Sequence, residues 1–160
     1  MNCIATDFKL TNEQVIAFKI ITTDVICRNV FRLTEWIARP PLVMLLTGPG
    51  GTGKTHVVRA VQKVMDSYGL IHGYRSLAPT ANAASLINGT TLHSGCNIKI
   101  RSKNKLLSNI SSDSQQELSV FASVKKNNEL RQEWKDVYLL LIDEISMVDQ
   151  ILLADVDASL

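Results

Sequence analysis

After Gly95 the chain contains no glycine and no proline; all 8 Gly and all 4 Pro lie at or before that residue. The strongest punctuation of local structure is therefore confined to the first part of the sequence. Cysteine is scarce too. Cys3, Cys27 and Cys96 are odd in number and share no CxxC spacing or nearby histidine pattern. That argues against a disulfide framework or a zinc site and for a reducing compartment. A charge excess is missing: Lys+Arg 17 against Asp+Glu 15 leaves +2, so any nucleic-acid site must be local. Long hydrophobic runs are missing as well. Leu42–Leu46 and Val137–Ile142 fall far short of the roughly 18–20 residues of a membrane span. The start, Met1-Asn2-Cys3-Ile4-Ala5-Thr6-Asp7, lacks the basic-then-apolar order of a secretory signal. What is present is 160 residues, 46% apolar, enough for one core in one intracellular globular domain.

Residues 1–9 carry no periodic signal and are read as a flexible N-terminus. Thr11-Asn12-Glu13-Gln14 has the form of a capping box and predicts a helix starting there. Phe18, Ile21 and Val25, and then Ile26, Val30, Leu33 and Ile37, step by threes and fours and extend it to about Ala38. The β-branched stretch from Ile20 to Val25 weakens its propensity. Pro40-Pro41 ends it. Leu42–Leu46 then reads as a strand buried on both faces. A helix from about Lys54 to Ser67, a strand at Tyr74–Ala78 and a short helix over Ala81–Ile87 follow. Val137–Ile142 is a further buried strand, and a last helix begins near Asp149. Residues 101–128 form a polar insertion of one or two short helices and a loop, with helical period in Leu106, Leu107, Ile110, Leu118, Phe121 and Val124. Strand and helix alternate, which argues for an α/β fold with a mainly parallel sheet. Trp36 and Trp134 sit at core-type helical spacing. Arg101, Lys103 and Lys105 read as a solvated helix end rather than a nucleic-acid contact.

Gly48-Pro49-Gly50-Gly51-Thr52-Gly53-Lys54-Thr55 satisfies G-x-x-x-x-G-K-[ST] in full, with an apolar segment before it and a helical one after. Glycines let the backbone curl so that successive N–H groups face phosphate oxygens. The following helix start adds its dipole to the same anion, with His56 in its first turn. Lys54 can reach the β- and γ-phosphates, and the Thr55 hydroxyl is a Mg²⁺ ligand. This predicts ATP and Mg²⁺ as cofactors. Asp143-Glu144 follows the last predicted strand, at the sheet edge where α/β ligands bind. Asp143 would hold Mg²⁺ through its waters, and Glu144 would act as general base toward the water attacking the γ-phosphate. Taken alone, the pair could equally be a helix cap.

Five segments occur in order: Leu10-Thr11-Asn12-Glu13-Gln14, the loop Gly48–Thr55, Ala78-Pro79-Thr80-Ala81-Asn82-Ala83-Ala84, Gly89-Thr90-Thr91-Leu92-His93-Ser94 and Asp143-Glu144-Ile145-Ser146-Met147-Val148. Together they resemble the first motor domain of the Pif-type DNA helicases, superfamily 1B relatives of RecD that include the helicases of Helitron transposons. The resemblance covers about residues 8–160. It implies a P-loop NTPase (RecA-like) three-layer sandwich and ATP-driven 5′-to-3′ translocation on single-stranded DNA with unwinding. It also implies roles in DNA repair, recombination and telomere maintenance, and a nuclear location in a eukaryote. By the same resemblance Gln14 would read the adenine, besides serving as capping-box partner. Pro79, Thr80, Thr91, His93 and Ser94 would line the DNA groove, with Thr80 and Ser94 donating to phosphates. Ala81 stands where the family commonly has glycine.

Family members continue into a further motif and a second motor domain that supplies arginine fingers, so the resemblance reads residues 1–160 as one truncated motor domain. The sheet would be incomplete at the C-terminus and would keep an unpaired apolar edge prone to association. The expectation for the isolated chain is Mg-ATP binding with poor hydrolysis and no unwinding. The alternative reading is an inactive transposon-derived fragment, acting at most as a nucleotide- or DNA-binding module.

Overall fold

The computed structural model describes residues 2–98 and 130–159. The polar insertion expected over residues 101–128 lies outside the described residues. The chain forms two compact units, Met1–Arg75 with Tyr138–Leu140, and Ser76–Val137 with Leu141–Leu160.

The first unit opens with a helix, α1 (Asn2–Asp7), where the sequence predicted none. The capping box then forms as read. The Thr11 hydroxyl accepts from the Gln14 N–H and the Gln14 side chain accepts from the Thr11 N–H, starting α2 (Asn12–Asn29). Ala17, Phe18, Thr22, Val25 and Ile26 are its buried face, and the β-branched stretch does not interrupt it. The Thr22 hydroxyl is satisfied by donating back to the Phe18 carbonyl at 2.7 Å.

The expected continuation to Ala38 fails. Val30 and Phe31 both donate to the Ile26 carbonyl, Arg32 takes a left-handed φ of 48°, and only a short α3 (Thr34–Ile37) follows. Val30, Leu33 and Ile37, predicted for the core, are exposed. Once the chain turns, the threefold-and-fourfold spacing no longer puts them on one face. Trp36 is half-buried beneath the Arg39 guanidinium, 4.7 Å from the ring centroid, rather than in the core.

Leu42–Leu46 departs further from expectation. It joins no ladder among the described residues, and Val43 is 95% exposed. Apolar composition supplies strand propensity, but a strand exists only where a neighbour takes its N–H and C=O groups. Upstream, Arg28 holds Asp24 and donates to the carbonyls of Arg39 and Pro40. After the phosphate loop comes α4 (Lys54–Ser67), whose Val57, Val58, Ala60, Val61, Val64 and Met65 are buried. Among the described residues the pairing of α2 with α4 is the most extensive helix packing, and it is the core of this unit.

A 3₁₀ turn, Ile71–Gly73, leads into β1 (Tyr74–Ala78). In the second unit β1 pairs in parallel with β2 (Thr90–Thr91), with Leu77 opposite Thr90 and Ala78 opposite Thr91. The third strand, β3 (Leu139–Ile142), gives the order β2-β1-β3. The Tyr138 N–H donates to Gly73 and the Asp143 N–H to Leu77, so β3 advances with β1 and is parallel to it. The fold is α/β with a parallel sheet, as predicted. Its third member is Thr90–Thr91 in place of Leu42–Leu46, and β3 is half-buried rather than fully buried.

Gly89 permits the β1–β2 approach, because a Cβ there would overlap the Ser76 carbonyl. Around the sheet lie α5 (Ala81–Leu86), α6 (Leu92–Gly95), α7 (residues 130–134), a 3₁₀ turn (Ile145–Met147) and α8 (Gln150–Ser159). Asp149 caps α8, accepting from the Leu152 N–H at 2.7 Å. Leu77, Ala84, Ile87, Leu92, Cys96 and Val156 are the core of the second unit. Trp134 is half-buried and donates its indole N–H to Gly95. Among the described residues no helix is long and apolar enough to cross a membrane.

Candidate nucleotide-binding site

The loop from Gly48 to Gly53 turns into α4 through Gly53, the N-cap residue, at φ 82°. That left-handed conformation suits glycine. The position is also crowded, since a Cβ on Gly53 would lie 2.5 Å from Nε2 of Gln14. Gly51 is left-handed too, while Gly50 and Gly51 face open space. Thr52 donates its hydroxyl to the Pro49 carbonyl at 2.8 Å, closing the turn. Lys54 arches back over the loop, its Nζ donating to the carbonyls of Gly48 at 2.7 Å and Pro49 at 3.1 Å. An ammonium has three donors, so a phosphate oxygen can be added or exchanged there. The first turn of α4 contains no acidic residue, so its N–H groups and dipole keep an uncompensated attraction for anions. Thr55 is half-buried in that turn.

Gln14 meets the loop directly, with Nε2 donating to the Thr52 carbonyl at 2.9 Å. Its Oε1 accepts from the Thr11 N–H at 2.9 Å. A carboxamide has two N–H donors and two lone pairs, so each end keeps one for a further partner. His56, expected at the cofactor, is engaged elsewhere. Its Nε2 bonds the Phe8 carbonyl at 2.6 Å, its ring lies 5.4 Å from that of Phe8, and its backbone N–H donates to the Gly53 carbonyl. Phe8 was not found by sequence reasoning, and no signal could have found it, because its contribution is a main-chain carbonyl.

The remaining predicted residues belong to the second unit. The register of β1, β2 and β3 brings their carboxyl ends into one row. Pro79-Thr80, Leu92–Ser94 and Asp143-Glu144 each emerge from that row. Thr80 caps α5, its Oγ1 accepting from the Ala83 N–H at 3.2 Å, and Thr91 caps α6, accepting from the Ser94 N–H at 3.3 Å. A cap consumes a lone pair and leaves the O–H able to donate. Pro79 and His93 are half-buried and Ser94 is exposed. Asp143 is half-buried, and its Oδ1 accepts from the Glu144 N–H at 2.9 Å. Glu144 is exposed, with a left-handed φ of 51°. Left-handed backbone in a residue other than Gly, Asn or Asp is uncommon, and it concentrates at functional sites.

A divalent cation fits the chemistry of these donors. Thr55 in the first unit and Asp143 in the second each carry a hard oxygen donor, and no cluster of three or more His, Cys, Asp or Glu exists among the described residues. Mg²⁺ is commonly bound in this way, through one or two protein oxygens plus substrate phosphates and water, rather than by a full protein cage.

A family model described as an AAA domain matches residues 35–157. The chain is 31% identical over 121 residues to the ATP-dependent DNA helicase RRM3 of Saccharomyces cerevisiae, covering 74% of this chain and 15% of that protein. It is 30% identical over 145 residues to the ATP-dependent DNA helicase PIF7 of Trypanosoma brucei brucei, covering 89% and 12%. The ATP-dependent DNA helicase PIF1 of Saccharomyces cerevisiae matches at 31% over 116 residues, covering 69% and 12%. The chain thus spans only about an eighth to a seventh of the length of these relatives. No solved structure matches significantly. With its phosphate loop, its parallel α/β fold and these relatives, the chain belongs to the AAA domain family of P-loop NTPases, among the sequences of Pif type.

Proposed function

We propose that this chain is the nucleotide-binding part of an ATP-dependent DNA helicase motor, binding Mg-ATP to drive 5′-to-3′ movement on single-stranded DNA. The observation that carries the reading is the phosphate loop. Its motif is complete, Gly51 and Gly53 take left-handed backbone, and it opens into a helix start without acidic residues. Lys54 would bind the β- and γ-phosphates, and the Thr55 hydroxyl and the Asp143 carboxylate would hold Mg²⁺. The metal, when bound, would neutralise charge developing on the phosphates. Glu144 would take the proton of the attacking water, and Gln14 would read the adenine with its remaining donor and acceptor. Pro79, Thr80, Thr91, His93 and Ser94 would contact DNA, the hydroxyls donating to phosphates in a way that positions the strand without reading its sequence.

The names of the relatives support a helicase; work in DNA repair, recombination or telomere maintenance, in the nucleus of a eukaryotic host, is what the resemblance to Pif-type helicases implies. The family's second motor domain is the source of its arginine fingers, each worth about 10³–10⁵ in turnover in related enzymes. For the 160-residue polypeptide alone we therefore infer Mg-ATP binding, slow hydrolysis and no strand separation. Calorimetry of Mg-ATP binding to the chain beside Lys54→Ala tests the reading. Binding that weakens roughly tenfold to hundredfold in the variant is the expected result, since a hydrogen bond to a charged group is at stake. Equal binding by both proteins, or none by either, would sink it.

A further inference from the structure

Two hydrogen bonds join the segment from Phe8 to Gln14 to the segment from Thr52 to His56. Gln14 Nε2 donates to Thr52 at one end, and His56 Nε2 meets the Phe8 carbonyl at the other. They close a ring of chain whose two sides are 38 and 48 residues apart in sequence. A carbonyl only accepts, so the imidazole must carry its hydrogen on Nε2. The N-terminal side of the ring has little slack. Phe8 and Lys9 donate to the Ile4 and Thr6 carbonyls, Leu10 donates to Ala5, and Thr11 is fixed in the capping box. The Phe8 and His56 rings pack at a tilt of 46° with centroids 5.4 Å apart, adding a contact that α1 and α4 extend.

From this geometry we propose that His56 is a positioning residue for base selection. By pinning Phe8 to the first turn of α4 it holds the 8–14 segment in register, and so keeps the Gln14 amide on the phosphate loop with one donor and one acceptor directed to a base. His56 itself touches no part of the nucleotide. The proposal rests on the reading of Gln14 as the adenine contact and adds the residue that aims it. Lys54 is held by the Gly48 and Pro49 carbonyls and the α4 N–H groups by the helix itself, so neither needs the bonds to Phe8 and Gln14. Loss of His56 therefore weakens discrimination between bases and leaves triphosphate binding intact.

The test measures binding of ATP, GTP and inorganic tripolyphosphate, each with Mg²⁺, to the full chain and to its variants. His56→Ala is expected to lower ATP affinity about threefold to tenfold, the size of one or two neutral hydrogen bonds, with GTP and tripolyphosphate unchanged. His56→Gln, whose amide reaches as far as Nε2, restores the ATP preference, whereas the shorter His56→Asn does not. In a Gln14→Ala background His56→Ala has no further effect, because the two residues act in series. Equal losses for all three ligands, additive losses with Gln14→Ala, or no preference for ATP in the unaltered chain would each overturn the proposal while leaving the phosphate loop as a binding site. If the unaltered chain binds none of the three, the proposal and the ATP reading fall together. Should His56→Ala lose its helical circular dichroism, the Gln and Asn variants decide: equal behaviour of the two refutes a role set by donor reach.

Discussion

Thr52 and His56 are held by partners 38 and 48 residues away. In the other unit, Thr80, Thr91 and Asp143 accept from backbone N–H groups within three residues of themselves. Both regions present polar side chains at turns beside apolar segments, but they are stabilised on different length scales. The loop's shape depends on the fold of the whole first unit, through α2 packed on α4. The turns after β1, β2 and β3 carry their own local caps and need the sheet only for placement. Damage to a core should therefore reach the loop as lost binding, whereas the capped turns should lose function one residue at a time.

The largest test of that contrast is Phe18→Ala. Phe18 is fully buried on α2, which packs on α4, and its truncation should cost about 3–5 kcal/mol and abolish Mg-ATP binding, read by denaturant unfolding and calorimetry. Leu77→Ala in the second unit should cost about 2–5 kcal/mol with a smaller effect on binding. Similar loss of binding in both, at matched stability, would erase the distinction. Thr11→Ala removes the cap hydroxyl next to Gln14 and should destabilise by about 1 kcal/mol while also lowering ATP affinity. Thr91→Ala removes the cap of the four-residue α6 and should cost about 0.5 kcal/mol without touching nucleotide binding. A shift in ATP affinity with Thr91→Ala would break the comparison from the other side.

The smallest effect is chemical. Burial raises the pKa of the Cys96 thiol, with a Ser159 hydrogen bond opposing in part, whereas Cys3 is exposed. At a given pH less Cys96 is thiolate, so its alkylation should lag that of Cys3 and catch up only as the pH rises, which mass spectrometry of labelled peptides can follow. Comparable rates near pH 8 would mean that the core of the second unit opens readily.

Local devices were legible in the sequence. The capping box at Thr11, the start of α4 at Lys54, the Tyr74–Ala78 strand and the start of the last helix near Asp149 each follow from a few adjacent residues. The helix predicted to Ala38 failed at Arg32, because apolar spacing persists through a turn that backbone conformation has already made. Leu42–Leu46 was read as a buried strand from composition, yet pairing is decided by what lies alongside, and the short Thr90–Thr91 segment became a strand on that ground. In the candidate site the phosphate loop was found complete. The Phe8 tie was invisible because a main-chain carbonyl has no letter in the sequence.

Glu144 carries a last consequence. Its left-handed backbone costs about 1 kcal/mol relative to glycine, which would relax there without strain. A search for thermostable variants of this chain should therefore recover Glu144→Gly among its gains, and that substitution deletes the carboxylate proposed above to take the proton of the attacking water. Selection on stability alone would drift toward a sturdier and chemically silent protein. On that proposed role, keeping glutamate at this position needs selection on turnover.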